Sequence, residues 1–136
     1  MDAAARSTLA ATFGGGVNPQ NTVLVVDDEP LVLRMVATIL ASAGFQVTAV
    51  ASGLEALRLV ETHTYSLVVT DVRMPIVSGP EFARRMRYTD APRLLFMSGA
   101  ACEPLNALLR HGAGFIKKPF RSNELLSAVA QQMQRK

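Results

Sequence analysis

Ser66-Leu67-Val68-Val69-Thr70-Asp71-Val72-Arg73-Met74-Pro75 decides how the rest of the chain is read. Leu67, Val68 and Val69 make a short apolar run rich in β-branched side chains, the pattern of a strand covered on both faces. The run ends at a carboxylate, and Met74-Pro75 keeps the strand from continuing. An Asp at the carboxyl end of a buried strand faces the crevice in which open α/β sheets hold ligands. A lone Asp there would do no more than cap the following loop. Asp71 has company at the ends of other predicted strands, and its role depends on them.

Upstream, residues 22–26 form an apolar strand that runs into Asp27-Asp28-Glu29-Pro30. Pro30 suits the first turn of a helix, where its missing N–H costs nothing. That helix extends to about residue 43, with Val32, Val36, Ile39 and Leu40 as its apolar stripe and Gly44 as its stop. Residues 45–50 are a second strand. Ser52-Gly53-Leu54-Glu55 has the spacing of a capping box and opens a helix to about residue 62. Downstream of Asp71, Ser78-Gly79-Pro80-Glu81 repeats that spacing before a helix to about residue 88. Residues 94–97 are the fourth strand, ending at Ser98-Gly99, and 103–111 are a short helix. Residues 115–117 are the fifth strand, ending at Lys118-Pro119-Phe120. A last helix from about residue 123 turns Leu125, Leu126, Val129 and Met133 inward. Residues 1–20, with Gly14-Gly15-Gly16 and Asn18-Pro19, read as a flexible tail or linker, leaving 21–136 as the folded domain.

Five strands alternating with five helices predict an α/β fold, a (βα)5 three-layer sandwich around a parallel sheet. Right-handed crossovers leave few topologies, and the flavodoxin-like order 2-1-3-4-5 is the expectation. In that order strands one, three, four and five bring Asp27 and Asp28, Asp71, Ser98 and Lys118 to one edge. Three carboxylates a few ångströms apart repel, so the cluster must protonate or hold a cation. A hard divalent ion fits, and Mg2+ keeping some of its waters is the natural choice. The plainer alternative is an acidic patch satisfied by Lys118 alone. With a metal present, Asp71 becomes a nucleophile toward phosphorus. Phosphoryl transfer needs its equatorial oxygens neutralised, and the Lys118 ammonium and Ser98 hydroxyl suit that task.

At 136 residues the chain is long enough for one domain with a real core, and it is 49% apolar and 18% charged, a globular rather than disordered composition. No stretch approaches the 18 or so uninterrupted apolar residues of a membrane span, and the N-terminus has no secretory signal pattern. The single cysteine, Cys102, has no internal disulfide partner, which fits a cytoplasmic location. The net charge of +3 is modest, and Arg84, Arg85 and Arg87 read as a solvated helix face rather than a nucleic-acid footprint. His63 and His111 lack ligand spacing and read as surface residues.

Val26-Asp27-Asp28-Glu29-Pro30, Asp71-Val72-Arg73-Met74-Pro75 with Gly79, Met97-Ser98-Gly99 and Lys118-Pro119-Phe120 together resemble the receiver domain of bacterial two-component response regulators. The resemblance spans about residues 22–134. It implies that Asp71 is the phosphorylation site and accepts a phosphoryl group from the phosphohistidine of a histidine kinase or histidine phosphotransfer protein. It implies Mg2+ held by Asp28, Asp71 and the backbone carbonyl of Arg73, with Asp27 acting through water. Ser98 and Lys118 would bind phosphoryl oxygens, Ser98 and Phe115 would form the switch pair, and the Lys118–Pro119 bond would be cis. Phe115 lacks the hydroxyl of the commoner Tyr, and the segment between Ser98 and Lys118 is short by family standards.

The expected function is therefore a phosphoacceptor signalling domain, not an enzyme beyond its own phosphorylation and dephosphorylation. It signals through protein contacts with an unknown downstream partner, as a monomer or weak dimer, without direct nucleic-acid or membrane binding. Receivers attached to hybrid kinases and free-standing single-domain regulators fit equally. An enzyme of a second class, a metal-dependent aspartyl-phosphate hydrolase of the haloacid-dehalogenase type, calls for Asp-x-Asp after the first strand, where this chain has Asp27-Asp28-Glu29. A degenerate receiver acting only as a binding module is the third reading.

Overall fold

The computed structural model describes residues 10–13, 21–86, 93–99 and 112–134. Six strands are described: β1 (Ala10–Phe13), β2 (Thr22–Val26), β3 (Gln46–Val50), β4 (Leu67–Asp71), β5 (Arg93–Ser98) and β6 (Gly114–Lys117). Four helices accompany them: α1 (Pro30–Ser42), α2 (Gly53–Thr62), α3 (Gly79–Met86) and α4 (Ser122–Gln134). The predicted helix over 103–111 lies outside the described residues.

The sheet order is β1-β3-β2-β4-β5-β6. From β3 to β6 every neighbouring pair is parallel. Counted by themselves, these five strands have the order 2-1-3-4-5, as the crossover rules lead one to expect. β4, the strand that anchors the sequence argument, lies mid-sheet and is buried along its whole length.

The expectation of a flexible tail over residues 1–20 does not hold at β1. Ala10–Phe13 runs antiparallel to β3, with Phe13 opposite Val47 and Ala10 opposite Val50. The physical reason is the open edge of β3, whose outward N–H and C=O groups take any short segment that can reach them.

Local chemistry explains the helices. Pro30 begins α1, and Gly44 at φ 100° lets the chain turn out of it in the left-handed region. Ser52 Oγ accepts the Glu55 N–H at 3.2 Å, and Ser78 Oγ accepts the Glu81 N–H at 3.2 Å, so both predicted capping sites form. One apolar layer joins Val23, Val25, Val69 and Met97 of the sheet to Val36 and Leu40 of α1 and to Leu125 and Val129 of α4. The other joins Leu24, Val26 and Val68 to Ala56 of α2 and to Phe82 and Met86 of α3. The sheet is thereby fixed between two helical layers, and the carboxyl ends of its strands are left to the loops.

Candidate functional site

The carboxyl ends of β2, β4, β5 and β6 meet where the sequence placed them. Asp27 follows β2 and is completely buried. Its main-chain N–H donates to the Val50 carbonyl at 3.2 Å, and its Oδ1 accepts the Glu29 N–H at 2.9 Å. The second of these supplies α1 with the cap that the Glu29 side chain does not make. Asp27 Oδ2 accepts from Lys118 Nζ at 2.8 Å. Asp71 ends β4 and is 9% exposed; its Oδ1 accepts from Lys118 Nζ at 3.2 Å and from the Val72 N–H at 3.0 Å. Asp28 is exposed, yet its carboxylate joins theirs: one oxygen from each of the three lies within 4.8 Å of the others.

Lys118 is aimed by its backbone as well as its charge. Its main-chain N–H donates to the Ser98 carbonyl at 2.8 Å, which ties the end of β6 to the end of β5. The Lys118–Pro119 peptide bond is cis, as expected. Ser98 is nearly buried at the end of β5. Phe115 is half-buried beside Phe96, Val72 and Ala83, and Arg73 stands exposed in the loop after Asp71.

The charges are unevenly held. Burial pushes the Asp71 carboxyl above its ordinary range, the Asp27 charge pushes it further, and Lys118 and the Val72 N–H offset part of the rise. Burial would lower the Lys118 ammonium, but Asp27 and then Asp71 outweigh it and hold its pKa above the ordinary value. One cation therefore faces three carboxylates, and only two of them touch it. Such a donor set, all oxygen and short of positive charge, fits a hard divalent cation. Asp28, which is exposed, has no part in the two Lys118 bridges.

Two features were not read from the sequence. The Val72 N–H bound to Asp71 Oδ1 leaves no mark in residue type. Thr70, completely buried, donates its Oγ1 to the Asp71 carbonyl oxygen at 3.0 Å; a hydroxyl in an otherwise apolar run was the available signal.

The sequence matches the response regulator receiver domain family over residues 23–130. Sensor kinase CckA of Brucella abortus is 35% identical over 119 residues, covering 84% of this chain and 13% of that protein. Regulatory protein AtoC of Escherichia coli is 35% identical over 117 residues, covering 84% of this chain and 25% of that protein. This chain thus spans only a fraction of the length of these relatives. Among solved structures, the receiver domain of hybrid histidine kinase CckA superposes with a TM-score of 0.71 at 32% identity, covering 83% of this chain and 99% of that one. The receiver domain of sensor histidine kinase PA1611 from Pseudomonas aeruginosa, solved with a magnesium ion in its active-site cleft, gives a TM-score of 0.75 at 25% identity, covering 85% and 98%. With five parallel strands in the family's order and Asp27, Asp28 and Asp71 clustered as its phosphorylation site requires, this chain belongs to the response regulator receiver domains of two-component systems.

Proposed function

We propose that this receiver, residues 21–136, takes a phosphoryl group onto Asp71 from the phosphohistidine of a histidine kinase or histidine phosphotransfer protein. The observation that carries the reading is the meeting of Asp71 with Asp27, Asp28 and Lys118 in one cluster. A carboxylate oxygen of Asp71 forms the new bond to phosphorus as the P–N bond to the donor imidazole breaks, and the imidazole leaves with the electron pair. Lys118 and Ser98 take the phosphoryl oxygens and spread their charge. Asp28, Asp71 and the Arg73 carbonyl would hold Mg2+, with Asp27 acting through water; when bound, the ion neutralises charge on the transferring group. Ser98 and Phe115 would pass the signal on by protein contact. The protein is a signalling domain whose catalysis is confined to its own phosphorylation and dephosphorylation, and the reading carries a cytoplasmic location with it.

The test is incubation with acetyl phosphate and Mg2+ followed by intact mass. A gain of one phosphoryl group, absent in Asp71→Asn, is the expected result. Release of phosphate without accumulation would instead support the aspartyl-phosphate hydrolase, and an unchanged mass would leave a binding module. Omitting Mg2+ should abolish the gain.

A further inference from the structure

Thr70 is the only hydroxyl in β4, completely buried, with Val26 opposite it in β2 and Phe96 opposite it in β5. A hydroxyl so placed needs a partner, and among the described residues it has one: the carbonyl oxygen of Asp71, at 3.0 Å. The same carbonyl is closed in by the chain at Gly79, where a Cβ would collide with it, and the Gly79 N–H is itself fixed to the Val72 carbonyl at 2.9 Å. The peptide plane between Asp71 and Val72 is thus held at its oxygen. At its other end, the Val72 N–H donates both to the Met97 carbonyl at 3.1 Å and to Asp71 Oδ1 at 3.0 Å. Oδ1 also takes the Lys118 ammonium. One peptide plane therefore decides which carboxylate oxygen is occupied, and Oδ2 is the one that accepts no bond from the described residues.

We propose that Thr70 is a positioning residue for the Asp71 carboxylate: its hydroxyl fixes the Asp71–Val72 peptide plane so that Oδ2 stays presented as the attacking oxygen. The proposal rests on Asp71 being the phosphoacceptor. Oδ2 forms the bond to phosphorus; with acetyl phosphate the P–O bond to the acetyl group breaks and acetate leaves with the electron pair. Without the hydroxyl the carbonyl loses its partner, the plane rocks, and the two oxygens exchange roles. Small errors in the placement of a reacting atom are expensive in rate, which makes a remote hydroxyl able to matter.

The experiment compares Thr70→Val, Thr70→Ser and Thr70→Ala in the full chain. The initial rate of phosphoryl gain from acetyl phosphate at saturating Mg2+ and the hydrogen exchange of the Val72 amide are both read well below each variant's unfolding midpoint. Thr70→Val and Thr70→Ala should slow phosphorylation by about fivefold or more and speed Val72 exchange, whereas Thr70→Ser should stay within about twofold of the parent in both. A parent-like rate and parent-like exchange in Thr70→Val, or a Thr70→Ser as slow as Thr70→Ala, would overturn the proposal. So would a Val72 exchange that speeds only as much as that of the other β4 amides, because a role in folding alone raises exchange along the whole strand and shifts the midpoint. If Thr70→Val does not fold, the Ser and Ala pair decides by the same criterion, because they differ by the hydroxyl alone. If the parent chain gains no phosphoryl group, it is the phosphoacceptor reading that fails, and Val72 exchange still decides whether Thr70 holds the plane.

Discussion

Asp71 sits in the fold at a cost in its charged form, because burial and the Asp27 charge together outweigh the help of Lys118. Asp71→Asn keeps nearly the same shape and removes that charge, so without Mg2+ its thermal midpoint at neutral pH should equal or exceed the parent's by a few degrees. A large loss of stability in calorimetry would show that Asp71 is structural instead. The pH dependence follows from the same imbalance. A carboxyl whose folded pKa is raised makes the folded state bind protons first, so the parent should gain stability relative to Asp71→Asn as pH falls from that raised value toward 3.8. Lys118 behaves in the opposite sense: its stabilising charge is fully present below 10.5 and is lost as pH rises through its higher folded value. Ile76 is a separate case, a β-branched residue at φ 69° that is 91% exposed. Its side chain gains almost nothing by burial, while the left-handed backbone costs about 1–2 kcal/mol, which Asn tolerates better. Ile76→Asn should therefore raise stability by about 1 kcal/mol in urea titration.

At the scale of elements, β1 depends on its neighbour more than on its own sequence. Removing residues 1–14 would strip four register pairs from the edge of β3, each worth roughly 0.2–1 kcal/mol, and should lower stability by roughly 1–3 kcal/mol. The far-UV signal of the remaining α/β sheet should survive; unchanged stability would mean that the strand adds nothing. That dependence explains why the five parallel strands were legible and β1 was not. Four of the five parallel strands, β2, β4, β5 and β6, announce themselves by an apolar run ending at a polar residue, and the two capping boxes punctuate the helices. Ala10-Ala11-Thr12-Phe13 has one β-branched residue and is followed by Gly14-Gly15-Gly16, a linker's composition. Its structure comes from the unpaired edge of β3, which no local pattern encodes. Gln132 was illegible for a related reason. It occupies an inward position of α4 because its Nε2 donates to the carbonyls of Leu94 at 2.9 Å and Gly112 at 3.1 Å, acceptors supplied by chain far away in sequence. The site was more legible than its support: strand-end positions gave Asp27, Asp28, Asp71, Ser98 and Lys118, while backbone donors such as the Val72 N–H have no residue signature.

At the scale of the whole molecule, the question is how a charge added at Asp71 reaches a surface. The ends of β5 and β6 are already joined by the bond from the Lys118 N–H to the Ser98 carbonyl. Phosphoryl oxygens on Asp71 would draw the Ser98 hydroxyl inward, and the loop can follow because Gly99 carries no side chain and has open space where one would be. Phe115, half-buried against Phe96, Val72 and Ala83, is the bulky neighbour placed to fill what Ser98 leaves. In the proposed switch these residues would take two packings, biased by one new charge. Beryllofluoride, which mimics the phosphoryl group, should therefore change amide exchange over residues 112–121 far more than over 45–62. Equal changes in the two regions would sink this route. Phe115→Ala separates uptake from transmission. The Phe115 ring has no hydrogen-bonding group, so it holds neither the carboxylates nor the Asp71–Val72 peptide plane, and this variant should take phosphoryl from acetyl phosphate at a rate within about twofold of the parent. The response of Lys117 and Arg121 to beryllofluoride should nevertheless fall by at least about half, because the group that must travel inward has been cut away. A Phe115→Ala protein whose surface still responds fully would place the moving element elsewhere in the sheet.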